Sequence, residues 1–239
     1  MLTLPEKLIF ALAVIASLYF TFRAAQRILG ILRRGHGQVD WPAARRRLGA
    51  TLVKVITFQP VFRARFIPSL LHGMVAWGFL YYLLVNFGDV LQAYIPDFIF
   101  LGQGWLGDLY RLGADLLSAA VLIGMLALLV RRFVLRTPAL TTRQDVLLHP
   151  KARSGIRRDS AIVGSFILLH VGGRFVGETF RLAAEGRDAW QPVASAVSRL
   201  WQGWSATALS IAEHAAFWFA LGLILAFLPY FLYSKHIHI

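Results

Sequence analysis

Cysteine is absent from the 239-residue chain. Without thiolates, this chain alone forms no disulfide, no covalently attached c-type haem and no cysteine-ligated iron–sulfur cluster. Acidic residues are also scarce, because 12 Asp and Glu stand against 25 Lys and Arg, for a formal net charge of +13. These shortages exclude several redox centres, but they do not exclude a cofactor that histidine holds.

Hydrophobic residues are abundant and make up 57% of the chain, with a mean hydropathy of +0.60. Soluble domains contain about 45–50% apolar residues. The excess is concentrated in blocks of about 20 residues, the length that crosses a bilayer as a helix. The sequence therefore predicts an all-α membrane protein, a single domain over 1–239 built as a five-transmembrane-helix bundle. The predicted spans are 8–29, 67–91, 112–134, 161–183 and 206–233.

The distribution of positive charge predicts the orientation of these spans. Ten Arg or Lys and one acid occupy residues 23–65, and eight Arg or Lys and two acids occupy 131–159. Cytoplasmic loops carry the excess of positive charge, so the N-terminus is predicted outside and the C-terminus in the cytoplasm. We expect a multi-pass protein of a bacterial or archaeal cytoplasmic membrane.

The basic segments flank the apolar blocks and contain no recognisable nucleic-acid-binding module. We therefore expect no nucleic-acid partner and attribute the charge to topology and to contact with anionic membrane lipids. The segment 40–58 is predicted to form an interfacial helix capped by Asp40, with Pro42 in its first turn. The segment 137–155 has the composition of a polar loop.

Histidine supplies the candidate ligands. His36 and His149 lie in basic loops and are most simply solvated. The remaining five lie within spans or at their ends: His72, His170, His214, His236 and His238. Ionisable residues inside a membrane are costly, which makes them functional candidates.

The depths of these histidines fall into two levels. His72 and the pair His236 and His238 share the predicted cytoplasmic level, whereas His170 and His214 lie nearer the centre or the outer half. Two histidines from different helices at each level are what bis-imidazole ligation of two b haems requires. The alternative for any one of them is a neutral imidazole bonded to a carbonyl of a neighbouring helix. Zinc is disfavoured because no compact cluster of His and acids appears.

Charged residues accompany the histidine of the fourth span. His170, Arg174 and Glu178 are spaced by four residues and share one helix face. An intramembrane arginine requires a partner. Glu178, a haem propionate and a quinone carbonyl are the alternatives for Arg174.

The inner haem leaves a choice of ligand in the fifth span. His236 lies about 40° out of phase with His214 on an unbroken helix, and His238 lies further round. That angle favours His236, but Pro229 can kink the helix and leaves the choice open.

Two motifs resemble the membrane cytochrome b domain of the respiratory nitrate reductase gamma subunit. The resemblance is closer to the membrane part of heterodisulfide reductase-like iron–sulfur oxidoreductases. RFIPSLLHGMVAWGF opens the second span, and LPYFLYSKHIHI closes the fifth. The resemblance implies five spans, haem b ligation by His72 and His238, and a cytoplasmic iron–sulfur or flavin partner. Tyr82 stands where the nitrate reductase branch has a second histidine, so the expected outer site is rearranged to His170 and His214.

The predicted function is that of an electron-transfer subunit or domain of a quinone-linked oxidoreductase. It would hold two b haems, or one if the outer site is absent, and would use quinone as its substrate. A further expectation from the resemblance is that the chain is the membrane module of a longer iron–sulfur oxidoreductase. The rival functions are a transporter subunit with a proton relay and a structural membrane anchor without redox chemistry. A b561-like or formate dehydrogenase gamma-like cytochrome is a further alternative.

Overall fold

Five long apolar helices dominate the computed structural model, which describes residues 2–141 and 145–234. This is the architecture of a multi-pass membrane protein, and it confirms the prediction of five spans. The helices are α1 (Leu4–Leu32), α4 (Phe66–Tyr94), α5 (Trp105–Leu129), α6 (Pro150–Glu185) and α8 (Ala206–Phe231). Each predicted span coincides with one of them. Helices α1, α4 and α6 extend beyond their predicted spans at both ends, whereas α5 begins earlier than predicted and α8 ends two residues before the predicted boundary.

Shorter elements connect the long helices. They are α2 (Trp41–Thr57), α3 (Gln59–Ala64), a π-helical turn (Val130–Val134), two 3₁₀ turns (Pro138–Leu140 and Ser198–Trp201) and α7 (Pro192–Val197). The predicted helix after Asp40 is α2, and the Asp40 carboxylate accepts a hydrogen bond from the Ala43 amide at 2.9 Å. No residue of α2 is buried, as expected for a helix lying at an interface.

Helix α6 begins eleven residues before its predicted span. The segment 137–155 was predicted to be a polar loop, but its last six residues belong to α6. Pro150 occupies the first turn, where its missing N–H costs nothing. The following Lys and Arg residues are good helix formers that need no apolar face outside the membrane. The hydropathy pattern therefore located the membrane segment but not the start of the helix.

Helix α6 is the centre of the bundle and packs against α5, α7 and α8. Its contact with α8 is close at two glycines. A Cβ added at Gly173 would lie 2.6 Å from the Phe219 ring, and one added at Gly177 would lie 2.9 Å from the Ala216 Cβ. Small residues allow membrane helices to approach one another in this way.

The two ends of the bundle are named here after the residues that lie at them, Leu2 and Ser234. The Leu2 end contains the starts of α1, α5 and α8 and the ends of α4 and α6, and the Leu2 amide bonds the Ala93 carbonyl at 3.2 Å. The Ser234 end contains the opposite helix ends together with α2 and α3. Residues 2 and 234 thus lie at opposite ends of the bundle, as an odd number of spans requires.

Candidate functional site

Among the histidines that the structure describes, the most enclosed is His170, at the middle of α6, with 3% of its surface exposed. Its Nδ1 donates a hydrogen bond to the Ala220 carbonyl of α8 at 2.8 Å. This fixes the tautomer and leaves the Nε2 lone pair facing α4, where the Asn86 amide nitrogen lies 3.4 Å away. Metal-binding histidines are commonly oriented through the same kind of second-nitrogen bond.

The space beside His170 is small. The Phe166 ring stacks on the imidazole at 5.5 Å, and the Tyr82 ring meets it edge-on at 5.8 Å. The remaining cavity has a volume of about 20 Å³. That is sufficient for about one water molecule. The Asn86 Oδ1 is buried there without a partner among the described residues, so a water is its natural donor.

His214 makes a different set of contacts. Its Nε2 pairs with the Glu6 carboxylate of α1, and the Trp218 indole donates to the same oxygen at 3.2 Å. The other oxygen of Glu6 accepts from the Thr3 amide at 2.8 Å. His214 therefore joins α1 to α8, and His214 and His170 line different cavities.

The packing between these two histidines does not fit a porphyrin. Gly173 and Gly177 lie between their levels on α6, and there α6 is in direct contact with Phe219 and Ala216 of α8. Helices that flank a macrocycle cannot approach so closely. An outer haem held by His170 and His214 would require α6 and α8 to separate. Ligation of a haem by these two histidines therefore stays a prediction.

A large polar cavity opens at the Leu2 end and has a volume of about 910 Å³. Drug-sized ligands bind in cavities of about 300–1,000 Å³. Arg174 lines it and makes a two-pronged ion pair with Asp89 of α4, with Nε–Oδ2 and Nη2–Oδ1 distances both 3.1 Å. The arginine side chain is 14% exposed. The sequence offered Glu178 as its protein partner, whereas the structure uses Asp89.

Glu178 is paired with other residues of the same cavity. Arg181 bonds its carboxylate, and the Gln191 amide donates to it at 2.7 Å. Arg181 also bonds Glu185 at 2.5 Å. Glu213 of α8 faces the cavity and has no hydrogen bond or ion pair within the described part of the chain. The cavity thus combines neutralised charges with carboxyl groups, such as that of Glu213, that are unpaired within the described residues.

The second histidine level lies partly outside the described residues. His72 is on an exposed face of α4, with its ring 5.8 Å from that of Phe58. A Cβ added at its neighbour Gly73 would lie 3.3 Å from the Trp77 ring of the same helix and 3.6 Å from Phe62 of α3. His236 and His238 lie outside residues 2–141 and 145–234, and their predicted role as ligands stays a prediction.

Three polar residues of these sites were missed in the sequence. Asp89 and Asn86 lie three residues apart in an apolar span, and Glu6 lies in the first turn of α1. An acid inside a predicted span is itself a signal of a functional or ion-paired position, and it identifies Asp89. The pairing of Glu6 with His214 depends on tertiary packing over 208 residues and has no local signal.

Within residues 2–141 and 145–234, no three His, Cys, Asp or Glu side chains are grouped so that they could hold a metal ion. Axial ligation of haem requires only two imidazoles, so this finding bears on zinc-type sites. Comparison with protein-family models, with curated proteins and with solved structures gave no match.

Proposed function

We propose that this chain is a membrane-bound b-type cytochrome. It passes electrons between quinone in the bilayer and a cytoplasmic iron–sulfur or flavin oxidoreductase partner. The proposal rests on the two sequence motifs, the imidazoles within the spans and the polar cavity among the helices.

The relation of α4 to α8 is the observation that carries the proposal. The two helices are antiparallel, because α4 ends and α8 begins at the Leu2 end. At the other end, Phe79 of α4 stacks on Phe231 of α8 at 6.5 Å. His72 lies seven residues before Phe79, about 10 Å along α4 toward the Ser234 end. The sequence from Phe231 to His238 is also seven residues long and can reach about 25 Å at full extension. His72, one histidine of the predicted pair, therefore lies at the Ser234 end. His238, the other, follows α8 at that same end by a stretch of chain long enough to reach it.

The residues at this end fit the group in part. His72 supplies one imidazole on an exposed face, and the aromatic side chains of Phe79 and Phe231 form an apolar boundary on the inner side. His238 would supply the second imidazole, with His236 as the alternative. Haem held there would supply one-electron redox chemistry. The protein residues would fix its height in the membrane and exclude water from its inner face.

The cavity at the Leu2 end is the proposed quinone site. Arg174 and Glu178 line it, as do the Tyr110 side chain and His214. A quinone carbonyl accepts hydrogen bonds, which Arg174 can donate beside its pair with Asp89. Reduction or oxidation of a quinone also transfers protons, and the unpaired Glu213 carboxyl can exchange them with the aqueous side.

The proposed orientation follows from charge. The Ser234 end carries most of the Arg and Lys and would face the cytoplasm of a bacterial or archaeal cell, with the N-terminus outside. In this orientation the haem would lie near the cytoplasmic partner and the quinone cavity near the outer face.

The test is an absorption spectrum of the purified, dithionite-reduced protein, with haem counted per chain. We expect a b-type α-band and one haem. His72→Ala should lose it, and His36→Ala, which removes a loop histidine at the same end, should keep it. A protein without an α-band, or a His72→Ala variant with full haem content, would contradict the proposal. Two haems per chain, one of them lost in His170→Ala, would instead support the outer pair.

A proton-relay transporter subunit is the second candidate function, and the buried polar line of α6 favours it. His170 with Asn86, Arg174 with Asp89 and Glu178 with Arg181 follow one another from mid-membrane to the cavity. A colourless protein that moves protons in vesicles, and loses this activity in Glu178→Gln, would establish that function over the cytochrome. A structural anchor would show neither colour nor proton movement.

A further inference from the structure

A basic cleft lies at the Ser234 end of the bundle, whereas the polar cavity lies at the Leu2 end. It is formed where the π-helical turn that ends α5 meets the first turns of α6, and its volume is about 730 Å³. Its lining includes three arginines, a hydroxyl group and two apolar residues: Arg153, Arg157, Arg158, Ser154, Phe133 and Ala161. We call this the basic cleft.

Two of the arginines in the basic cleft are not neutralised by the protein. Arg157 and Arg158 are exposed, and neither guanidinium forms a hydrogen bond or an ion pair within the described residues. The Arg157 guanidinium lies 5.6 Å from the centre of the Phe133 ring, a cation–π contact that leaves its N–H groups free. Both guanidinium groups line the same cleft, where charge-assisted hydrogen bonds to one anion are open to them.

Acids near the basic cleft are few and already engaged. Asp145 and Asp159 are the only acids in the segment 131–159. Asp159 accepts a hydrogen bond from the Tyr230 hydroxyl at 2.7 Å and is held toward α8. The positive charge of the cleft is therefore available to an external anion.

The depth of the basic cleft identifies the anion. Residues 150–159 of α6 are mostly polar or charged, and the apolar run of this helix begins at Ala161. The cleft spans this change, which is the level of phospholipid headgroups in a membrane helix. Val134 and Leu135 lie beside it on the α5 side, 70% and 68% exposed, and present an apolar surface. A free anion would use the arginines but not this surface.

We propose that the basic cleft binds an anionic phospholipid. Arg157 and Arg158 bond its phosphate, and Phe133 with the exposed Val134 contacts the start of an acyl chain. Basic pockets between membrane helices on the cytoplasmic side are suited to such headgroups. The π-helical turn widens the end of α5 at this position, as such turns often do at binding sites. The site is independent of haem and of quinone.

The experiment is native mass spectrometry of the full chain in detergent, titrated with phosphatidylglycerol, phosphatidylcholine or inorganic phosphate. The unmodified protein should retain one phosphatidylglycerol in preference to phosphatidylcholine. In Arg157→Gln/Arg158→Gln we expect the affinity for that lipid to fall about tenfold or more. Arg46→Gln/Arg47→Gln on α2 is the matched control, because it removes two exposed charges from the same end. We expect less than about a twofold change for that control.

Three results would overturn the proposal. Equal losses in the two double variants would mean that the lipid senses only the overall charge of this end. Inorganic phosphate that displaces the lipid at equal concentration would make this a free-anion site. Undiminished lipid binding in Arg157→Gln/Arg158→Gln would mean that the lipid binds elsewhere, and an acidic protein partner would then be the alternative ligand of the cleft. Arg157→Lys, which keeps the charge but loses the two-pronged bond, should weaken the lipid less than Arg157→Gln does.

Discussion

The two ends of the bundle use arginine in opposite ways. At the Leu2 end, the three arginines of the polar cavity are each ion-paired within the protein: Arg111 with Asp108 and Asp188, Arg174 with Asp89, and Arg181 with Glu178 and Glu185. At the Ser234 end, Arg157 and Arg158 have no such pair in the described part of the chain. At the Leu2 end, Arg174 therefore joins α6 to α4 and Arg111 joins α5 to the segment that follows α6, whereas the two arginines at the Ser234 end remain available.

This difference separates architecture from recognition. A buried arginine that is paired with an acid on another helix holds those helices together, and loss of the acid leaves an uncompensated charge. An exposed arginine contributes little to stability, because water already solvates it. Substitutions at the Leu2 end should therefore change folding, and those at the Ser234 end should change binding.

The largest effect on stability is expected at the Arg174–Asp89 pair. Asp89→Asn removes the negative charge but keeps the size of the side chain, so Arg174 is left charged and only 14% exposed. We expect the free energy of unfolding to fall by about 3 kcal/mol or more. The measurement is unfolding in mixed detergent micelles, followed by circular dichroism.

Asp97→Asn is the matched control for this prediction. Asp97 lines the same cavity but is exposed and has no ion pair within the described residues. Its backbone is left-handed, with φ 53°, a conformation that asparagine tolerates. Its stability should change by less than about 0.5 kcal/mol. Similar losses in both variants would show that the Leu2 end responds to cavity charge in general, without a special role for the buried pair.

The sequence predicted these two ends unequally. The charge asymmetry and the five spans follow from the local sequence pattern, because the length of an apolar run and the Arg and Lys residues beside it can be seen without knowing the tertiary structure. The partners of Arg174 and His214 are not local: Asp89 lies 85 residues from Arg174, and Glu6 lies 208 residues from His214. Only the packing of α1, α4, α6 and α8 brings them together.

The second-largest effect is expected where α6 meets α8. Gly177→Ala would place a Cβ 2.9 Å from the Ala216 Cβ, and neither atom can move without its helix. We expect a loss of about 1–3 kcal/mol in the free energy of unfolding, by the same micelle titration. Gly172→Ala is the control, since its Cβ would meet only Leu122 at 3.7 Å. A Gly177→Ala variant as stable as Gly172→Ala would mean that α6 and α8 can shift enough to accept a methyl group, and would contradict a rigid contact between them.

Glycines also lie beside two of the candidate histidines, His72 and His170. Such glycines are typical both of close approach to a macrocycle and of helix contacts in membranes. Spacing alone does not distinguish the two. The neighbours distinguish them for Gly173, which faces Phe219 of α8, whereas Gly73 lies beside the Trp77 ring of its own helix. Gly173 therefore serves the packing of α6 against α8.

A smaller effect is expected at the Ser234 end, where one hydrogen bond joins α6 to α8. Tyr230→Phe removes the donor to Asp159, whose carboxylate stays close to the aqueous boundary and can bond water. We expect the free energy of unfolding to fall by about 1 kcal/mol. A loss comparable to that of Asp89→Asn would contradict the contrast between the ends, because it would assign this end an equally important buried contact.

The smallest effect on stability is expected in the basic cleft itself. Arg158→Gln removes an exposed guanidinium that forms no ion pair within the described residues, so its free energy of unfolding in detergent should change by less than about 0.5 kcal/mol. Added phosphatidylglycerol should stabilise the unmodified protein more than the variant, because a ligand that binds only the folded state shifts the unfolding equilibrium. Stability measured with and without the lipid therefore distinguishes recognition from architecture at a single residue. A variant that is destabilised equally with and without the lipid would show that Arg158 stabilises the fold, as the ion-paired arginines of the Leu2 end do. The arginines of the two ends would then differ only in where they lie.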